Sequence, residues 1–227
     1  MPQKFQRTTL ANIKKKPAER PSSPPNWPAL RPLIASDDLS LVTLLEDQVV
    51  VVRSLLTPKL CATFVSFLSS LPLITTPVQP KAGNAVRVND RIQFDDPAFA
   101  EQLWSSTALE KLVNGPGQFF GQHYDESNTI VLPTSPPTPA KTTWTLLIYL
   151  TGPATGCIGG ETVFYPELGP AKKFSGKLSQ GSEPLSVELE VGMALLHKHG
   201  QDCLLHEGRK VTKGEKWVIR SDLCVKR

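Results

Sequence analysis

The triplet His123-Tyr124-Asp125, with His206 far downstream and Lys216 ten positions beyond it, constrains this chain more than any other feature. In a β-strand, residues two apart point to the same face, so His123 and Asp125 address one point while Tyr124 turns away. Two imidazoles and one carboxylate make up the facial triad that holds iron(II) and leaves coordination positions open. The third ligand must then come from another strand, which demands a β-rich fold. His206 opens a stretch that reads as such a strand.

Residues 206–220 fold on paper into a hairpin. Thr212-Lys213-Gly214 suits a three-residue loop, a type I turn closed by a glycine in the left-handed region. That odd loop length puts His206, Lys210, Lys216, Val218 and Arg220 on one face. Lys216 then stands about four residues along the ladder from His206, roughly 13 Å at strand rise. A five-carbon diacid chelating the metal at one end, plus an extended lysine stem, spans that gap. The ammonium is a suitable point charge for the far carboxylate. A four-residue loop turns Lys216 to the opposite face instead.

These residues carry a resemblance. Gly117-Gln118-Phe119-Phe120-Gly121-Gln122-His123-Tyr124-Asp125, then residues 145–150 (TLLIYL), Gly159-Gly160-Glu161-Thr162, residues 191–196 (VGMALL) and His206-Glu207-Gly208 with Val211, Gly214 and Lys216 occur in that order. Together they resemble the fungal-type prolyl 4-hydroxylase branch of the iron(II)- and 2-oxoglutarate-dependent dioxygenases, over roughly residues 115–222. The resemblance implies an α+β fold with a double-stranded β-helix (jelly-roll) core and supporting N-terminal helices. It implies iron on His123, Asp125 and His206, and 2-oxoglutarate on Lys216, with Thr162 as a second hydroxyl to the same carboxylate. Arg220 is the runner-up anchor, since its position lies on the same face and some dioxygenase branches use arginine there. The implied reaction consumes O2 and 2-oxoglutarate, releases succinate and carbon dioxide, and hydroxylates an unactivated C–H bond. A peptidyl residue, proline first, is the implied substrate, with ascorbate (vitamin C) as reductant.

One departure stands out. The family pattern has a tyrosine nine residues before the first iron histidine, where it hydrogen-bonds the cosubstrate; here that position is Asn114, in the turn-like run Val113-Asn114-Gly115-Pro116-Gly117. Either the cosubstrate pocket is built differently, or a core strand is shortened as in an internally deleted relative. The second alternative makes a catalytically silent binding module that keeps the fold.

The rest of the chain sets the frame. Residues 1–35 carry Lys14-Lys15-Lys16 and a proline-rich run with Trp27 as the one large apolar anchor, so they read as a disordered tail. Residues 36–227 read as the dioxygenase domain, with 36–113 as helical support and 114–227 as the β-helix core. Val49 to Val52 is a β-branched run that reads as a buried strand. Thr57-Pro58 and Asp96-Pro97 each supply a cap and a first-turn proline, for helices reaching about Leu71 and running from Ala98 to Val113. Leu132 to Ala140 reads as a proline-rich loop at the substrate entrance.

The net charge of +4 sits largely in the first twenty residues, which does not indicate a nucleic-acid partner. No apolar run reaches the eighteen residues of a membrane span, and no secretory leader is legible, so a cytoplasmic or nuclear protein is expected. The four cysteines show no framework spacing and read as free thiols. His197, His199 and Cys203, with His206, offer a second metal-binding combination, that of a zinc or cupin-type protein. Trp144 and Trp217 read as core or rim residues, and Arg87, Asp90 and Arg91 as structural ion-pair formers, with a substrate role open for Arg91.

Overall fold

The computed structural model describes residues 23–75, 89–113, 129–132, 136–166, 183–200 and 203–226. His123, Asp125, Asn114 and Arg87 lie outside these described residues. The chain runs through β1 (Leu41–Leu45), β2 (Val49–Val52), α1 (Pro58–Ser69), β3 (Ile74–Thr75), β4 (Asp90–Arg91), α2 (Pro97–Ser106), α3 (Leu109–Val113), β5 (Thr129–Leu132) and β6 (Thr138–Tyr149). It continues through β7 (Ile158–Gly159), β8 (Thr162–Phe164), β9 (Leu185–Val187), β10 (Ala194–Lys198), β11 (His206–Gly208), β12 (Val211–Lys213) and β13 (Val218–Lys226). This is a mixed α+β chain whose strand pairings among the described residues are all antiparallel. No helix among them is long and apolar enough to cross a membrane.

The described residues fall into two compact units. One holds residues 23–25, 72–75 and 89–95, where β3 and β4 pair with Ile74 opposite Arg91 and Thr75 opposite Asp90. The other holds the remainder and is built on a six-stranded sheet of order β1-β2-β10-β6-β13, with β5 also paired to β6. Two smaller sheets accompany it, β11-β8-β9 and β12-β7.

Alternation along the central strands divides the core in two. Val50, Val52, Leu146, Ile148, Ala194 and Leu196 face the helices, where Leu60, Cys61, Phe64 and Leu68 of α1 supply the apolar stripe. Val49, Val51, Tyr149, Met193 and Leu195 face the other way, against Phe164 of β8 and Val187 of β9. The β-branched run at 49–52 is therefore buried on both faces, as its composition led one to expect.

Local signals place the helices. Thr57 Oγ1 accepts from Leu60 N at 3.2 Å and Asp96 Oδ1 accepts from Phe99 N at 3.0 Å, so both expected caps form. The single helix expected from Ala98 to Val113 is interrupted at Thr107. Its hydroxyl donates to Leu103 O at 2.7 Å and accepts from Leu109 N at 3.3 Å, which ends α2 and starts α3. Packed structure also begins ahead of the boundary expected at residue 36. Trp27 stacks on Phe99 at 4.3 Å and donates to Asp96 Oδ2 at 2.7 Å, while Leu30 is only 2% exposed. The loop expected over Leu132 to Ala140 is shorter, because Leu132 already pairs with Thr138.

The hairpin expected over residues 206–220 does not form. β12 pairs with β7 and β13 pairs with β6, so the two arms belong to different sheets. Gly214, at φ +72°, makes the crossing; a Cβ there would stand 2.5 Å from Gly156 O, so only glycine fits the approach.

Candidate functional site

Two groups of polar side chains lie at the layer between the large and small sheets. The first centres on His197, which shares the inward face of β10 with Leu195 and is 5% exposed. Its ring lies 4.7 Å from that of His206, and both rings contact Phe164, at 5.3 and 5.6 Å. His206 pairs with Phe164 across β11 and β8, which brings it to this point. Cys203, between β10 and β11, places its Sγ 3.7 Å from His206 Nδ1. The ligand atoms of His197, Cys203 and His206 all lie within 4.8 Å of one another.

Hydrogen bonding fixes both tautomers. His197 Nδ1 lies 3.0 Å from Lys198 O, and His206 Nδ1 lies 2.8 Å from Leu204 O. A carbonyl oxygen only accepts, so each Nδ1 carries a proton. Burial lowers the His197 pKa to about 4, aided by the neighbouring His206, Arg220 and His199 and opposed by the bond to Lys198 O. His197 is therefore a neutral imidazole at neutral pH. Burial also raises the Cys203 thiol pKa, against the Arg220 guanidinium, which favours the thiolate.

The second group is a cradle around the Lys216 ammonium. Lys216 Nζ donates to Gly160 O and stands 5.3 Å from the Tyr149 ring centroid. Tyr149 Oη and Thr162 Oγ1 are 2.7 Å apart. Gly160, at φ +82°, leaves room for the lysine stem: a Cβ there would meet Lys216 Cδ at 3.1 Å. Burial lowers the Lys216 pKa, while Cys157 and Glu161 hold it up. No carboxylate among the described residues lies within ion-pair distance of this ammonium. Burial pushes the Tyr149 phenol up to about 12, against the hydrogen bond with Thr162, so the phenol stays neutral.

The two groups share strands. Phe164 touches the imidazoles while Thr162, two residues earlier on the same inward face of β8, joins the cradle. On β11, His206 pairs with Phe164 and Gly208 pairs with Thr162. A Cβ on Gly208 would stand 3.9 Å from Lys216 Nζ. His206 thus stands two strand residues, roughly 7 Å, from Gly208, the position beside the ammonium. The ladder on which the expected residue spacing of roughly 13 Å rested is absent, because β11 pairs with β8 while Lys216 lies between β12 and β13.

The remaining expected residues divide. Thr162 is in the cradle, 4% exposed. Arg220 lies outside it, half-exposed, with Nη2 3.8 Å from Asp222 Oδ1. That is ion-pair range but longer than a hydrogen bond, and Asp222 Oδ1 is a buried oxygen with no hydrogen-bond partner. His199 turns away from the cluster, its Nδ1 3.2 Å from Thr145 Oγ1. Trp144 is a core residue, and Trp217 is half-buried with its indole N–H on Glu215 Oε2 at 2.8 Å. Sequence reasoning did not single out Tyr149 for the site. The signal was present: Tyr149 lies within the 145–150 segment, where strand alternation points it inward. Compared with models of known protein families and with curated proteins, the sequence matches none.

Proposed function

We propose that this chain is an iron(II)- and 2-oxoglutarate-dependent dioxygenase on a double-stranded β-helix core, hydroxylating an unactivated C–H bond, with peptidyl proline the leading substrate class. The observation that carries the reading is a metal-competent imidazole on β11, roughly 7 Å along the strand from Gly208, the position beside a Lys216 ammonium that no carboxylate among the described residues pairs with. A five-carbon diacid has that span: it reaches a metal at one end and a cation at the other.

The residues present fit such a ligand. His206 offers Nε2 to an ion because its Nδ1 proton is held by Leu204 O. His123 and Asp125 complete the ligand set in the sequence reading. Ferrous iron with its cosubstrate and O2 would supply the oxidising chemistry, with ascorbate keeping the metal reduced. The chain's own contribution is positioning. Lys216 grips the far carboxylate, its ammonium having three protons of which Gly160 O takes one. Of the Tyr149 and Thr162 hydroxyls, one donates to the other and the second is left to donate to the carboxylate. Because Tyr149 is neutral it presents no opposing charge. In this reading Tyr149 supplies the phenol that the Asn114 departure removes from the family pattern. Phe164, Val187, Met193 and Leu204 keep water from the inward layer.

The test is succinate formation from 2-oxoglutarate with added iron and ascorbate. The proposal expects turnover by the intact chain and none by His123→Ala or His206→Ala. A folded, iron-supplied protein that yields no succinate would contradict it, and would favour a silent binding module. Mass spectrometry for a +16 Da product in lysates with and without the protein then finds the substrate.

A further inference from the structure

We infer that His197, Cys203 and His206 form a site for a borderline-soft divalent ion of the zinc class, sharing His206 with the iron ligand set. The residue types are those zinc prefers, two neutral imidazoles and a thiolate, with the fourth position left to water. This is a different set from the facial triad, because a thiolate favours zinc or copper over a hard ion.

Geometry supports it. A tetrahedral ion with bonds of about 2.0–2.3 Å needs donors roughly 3.3–3.6 Å apart. One ring nitrogen of each histidine and the Cys203 Sγ already lie within 4.8 Å of one another, with Sγ 3.7 Å from His206 Nδ1. Closing the remainder falls to the exposed His206 and the half-buried Cys203, while the buried His197 stays fixed. Both imidazoles already donate Nδ1–H to a backbone carbonyl, the supporting contact that metal-bound histidines use to hold Nε2 toward an ion. Phe164 packs against both rings and limits their rotation. On binding, the Cys203 thiol releases its proton to solvent and its sulfur lone pair makes the metal bond; nothing is oxidised or reduced. His199, bonded to Thr145, takes no part.

One imidazole nitrogen cannot serve two ions, so zinc at this site excludes iron from His206. That exclusion rests on the oxygenase reading; the zinc site itself does not.

Cobalt(II), a spectroscopic stand-in for zinc, titrated into metal-free full-length protein tests the site. The intact chain should take up one equivalent with a thiolate-to-cobalt charge-transfer band, displaced by zinc. Cys203→Ser should abolish that band, and both it and His206→Gln should weaken zinc binding by more than the roughly 10–100-fold that loss of a supporting contact costs. His199→Ala should bind as the intact chain does. An intact chain without the band, or a Cys203→Ser protein that keeps it, would overturn the inference, with circular dichroism confirming that each variant is folded. His123→Ala separates the two proposals: it should keep the cobalt band while losing succinate formation. A protein that shows the band but never makes succinate sinks only the oxygenase reading.

Discussion

The two faces of β6 and β10 differ in what they are made of. The face toward the helices carries Leu146, Ile148, Ala194 and Leu196 packed beneath Phe64 and Leu60, and turns polar only at its end, where Lys198 is buried opposite Trp144. The inward face is apolar only in part. It carries Met193 and Leu195, then changes to His197 on β10, while Tyr149 sets its ring beneath the Lys216 ammonium and its hydroxyl against Thr162. The same strands thus present one largely apolar surface and one that gathers imidazole, hydroxyl and ammonium groups, separated by the period-two alternation of the backbone. Substitutions on the two faces should therefore fail in different ways.

The largest expected effect is on the helix face. Phe64→Ala empties a fully buried site and should cost about 3–5 kcal/mol of stability in urea denaturation. The 2-oxoglutarate affinity of the molecules that remain folded should be unchanged. Lys216→Ala reverses the pattern. Losing a charged hydrogen bond to the ligand should cost roughly 1.5–3 kcal/mol of binding, about 10–100-fold in affinity, with a smaller change in the urea midpoint. A Lys216→Ala protein that unfolds like Phe64→Ala but binds 2-oxoglutarate normally would erase the distinction between the faces. Thr162→Val should weaken binding by only about 2–10-fold, the scale of one neutral hydrogen bond.

The smallest effect is one of pH. Burial lowers the Lys216 pKa, so its ammonium loses its proton as pH rises through a value below that of lysine in water. Affinity for 2-oxoglutarate should therefore hold on the acid side of that value and fall above it. Lys216→Arg should move this alkaline limb out of range, since a guanidinium does not deprotonate in proteins. Binding measured across alkaline pH checks both, and identical limbs in the two proteins would remove Lys216 from the account.

Features governed by local chemistry were legible in the sequence. Thr57-Pro58 and Asp96-Pro97 act within one helical turn, and four consecutive β-branched valines favour a buried strand whatever surrounds them. Partner choice between strands was not legible. Periodicity gave β12 and β13 their extended character but not their separate partners in β7 and β6, since a ladder is a long-range contact. The end of α2 was hidden because Thr107 reads as one more helical residue until its hydroxyl finds Leu103 O. At the site, Lys216 and Thr162 were named from sequence and lie together in the cradle. Tyr149 was hidden by its apolar strand, where it reads as core until Thr162 and Lys216 surround its hydroxyl and ring. Of the His197, His199, Cys203 and His206 combination, three come together and His199 turns to Thr145.

The central claim is that His206 and Lys216 hold the two ends of one diacid. Its most direct test is the metal-to-ligand absorption band that forms when 2-oxoglutarate is added, without oxygen, to the iron(II)-loaded protein. The account predicts that the band appears in the intact chain, is absent in His206→Ala, and in Lys216→Ala requires about 10–100-fold more 2-oxoglutarate. A band that forms at the same concentration with or without the Lys216 ammonium, or that survives loss of the His206 imidazole, would contradict it.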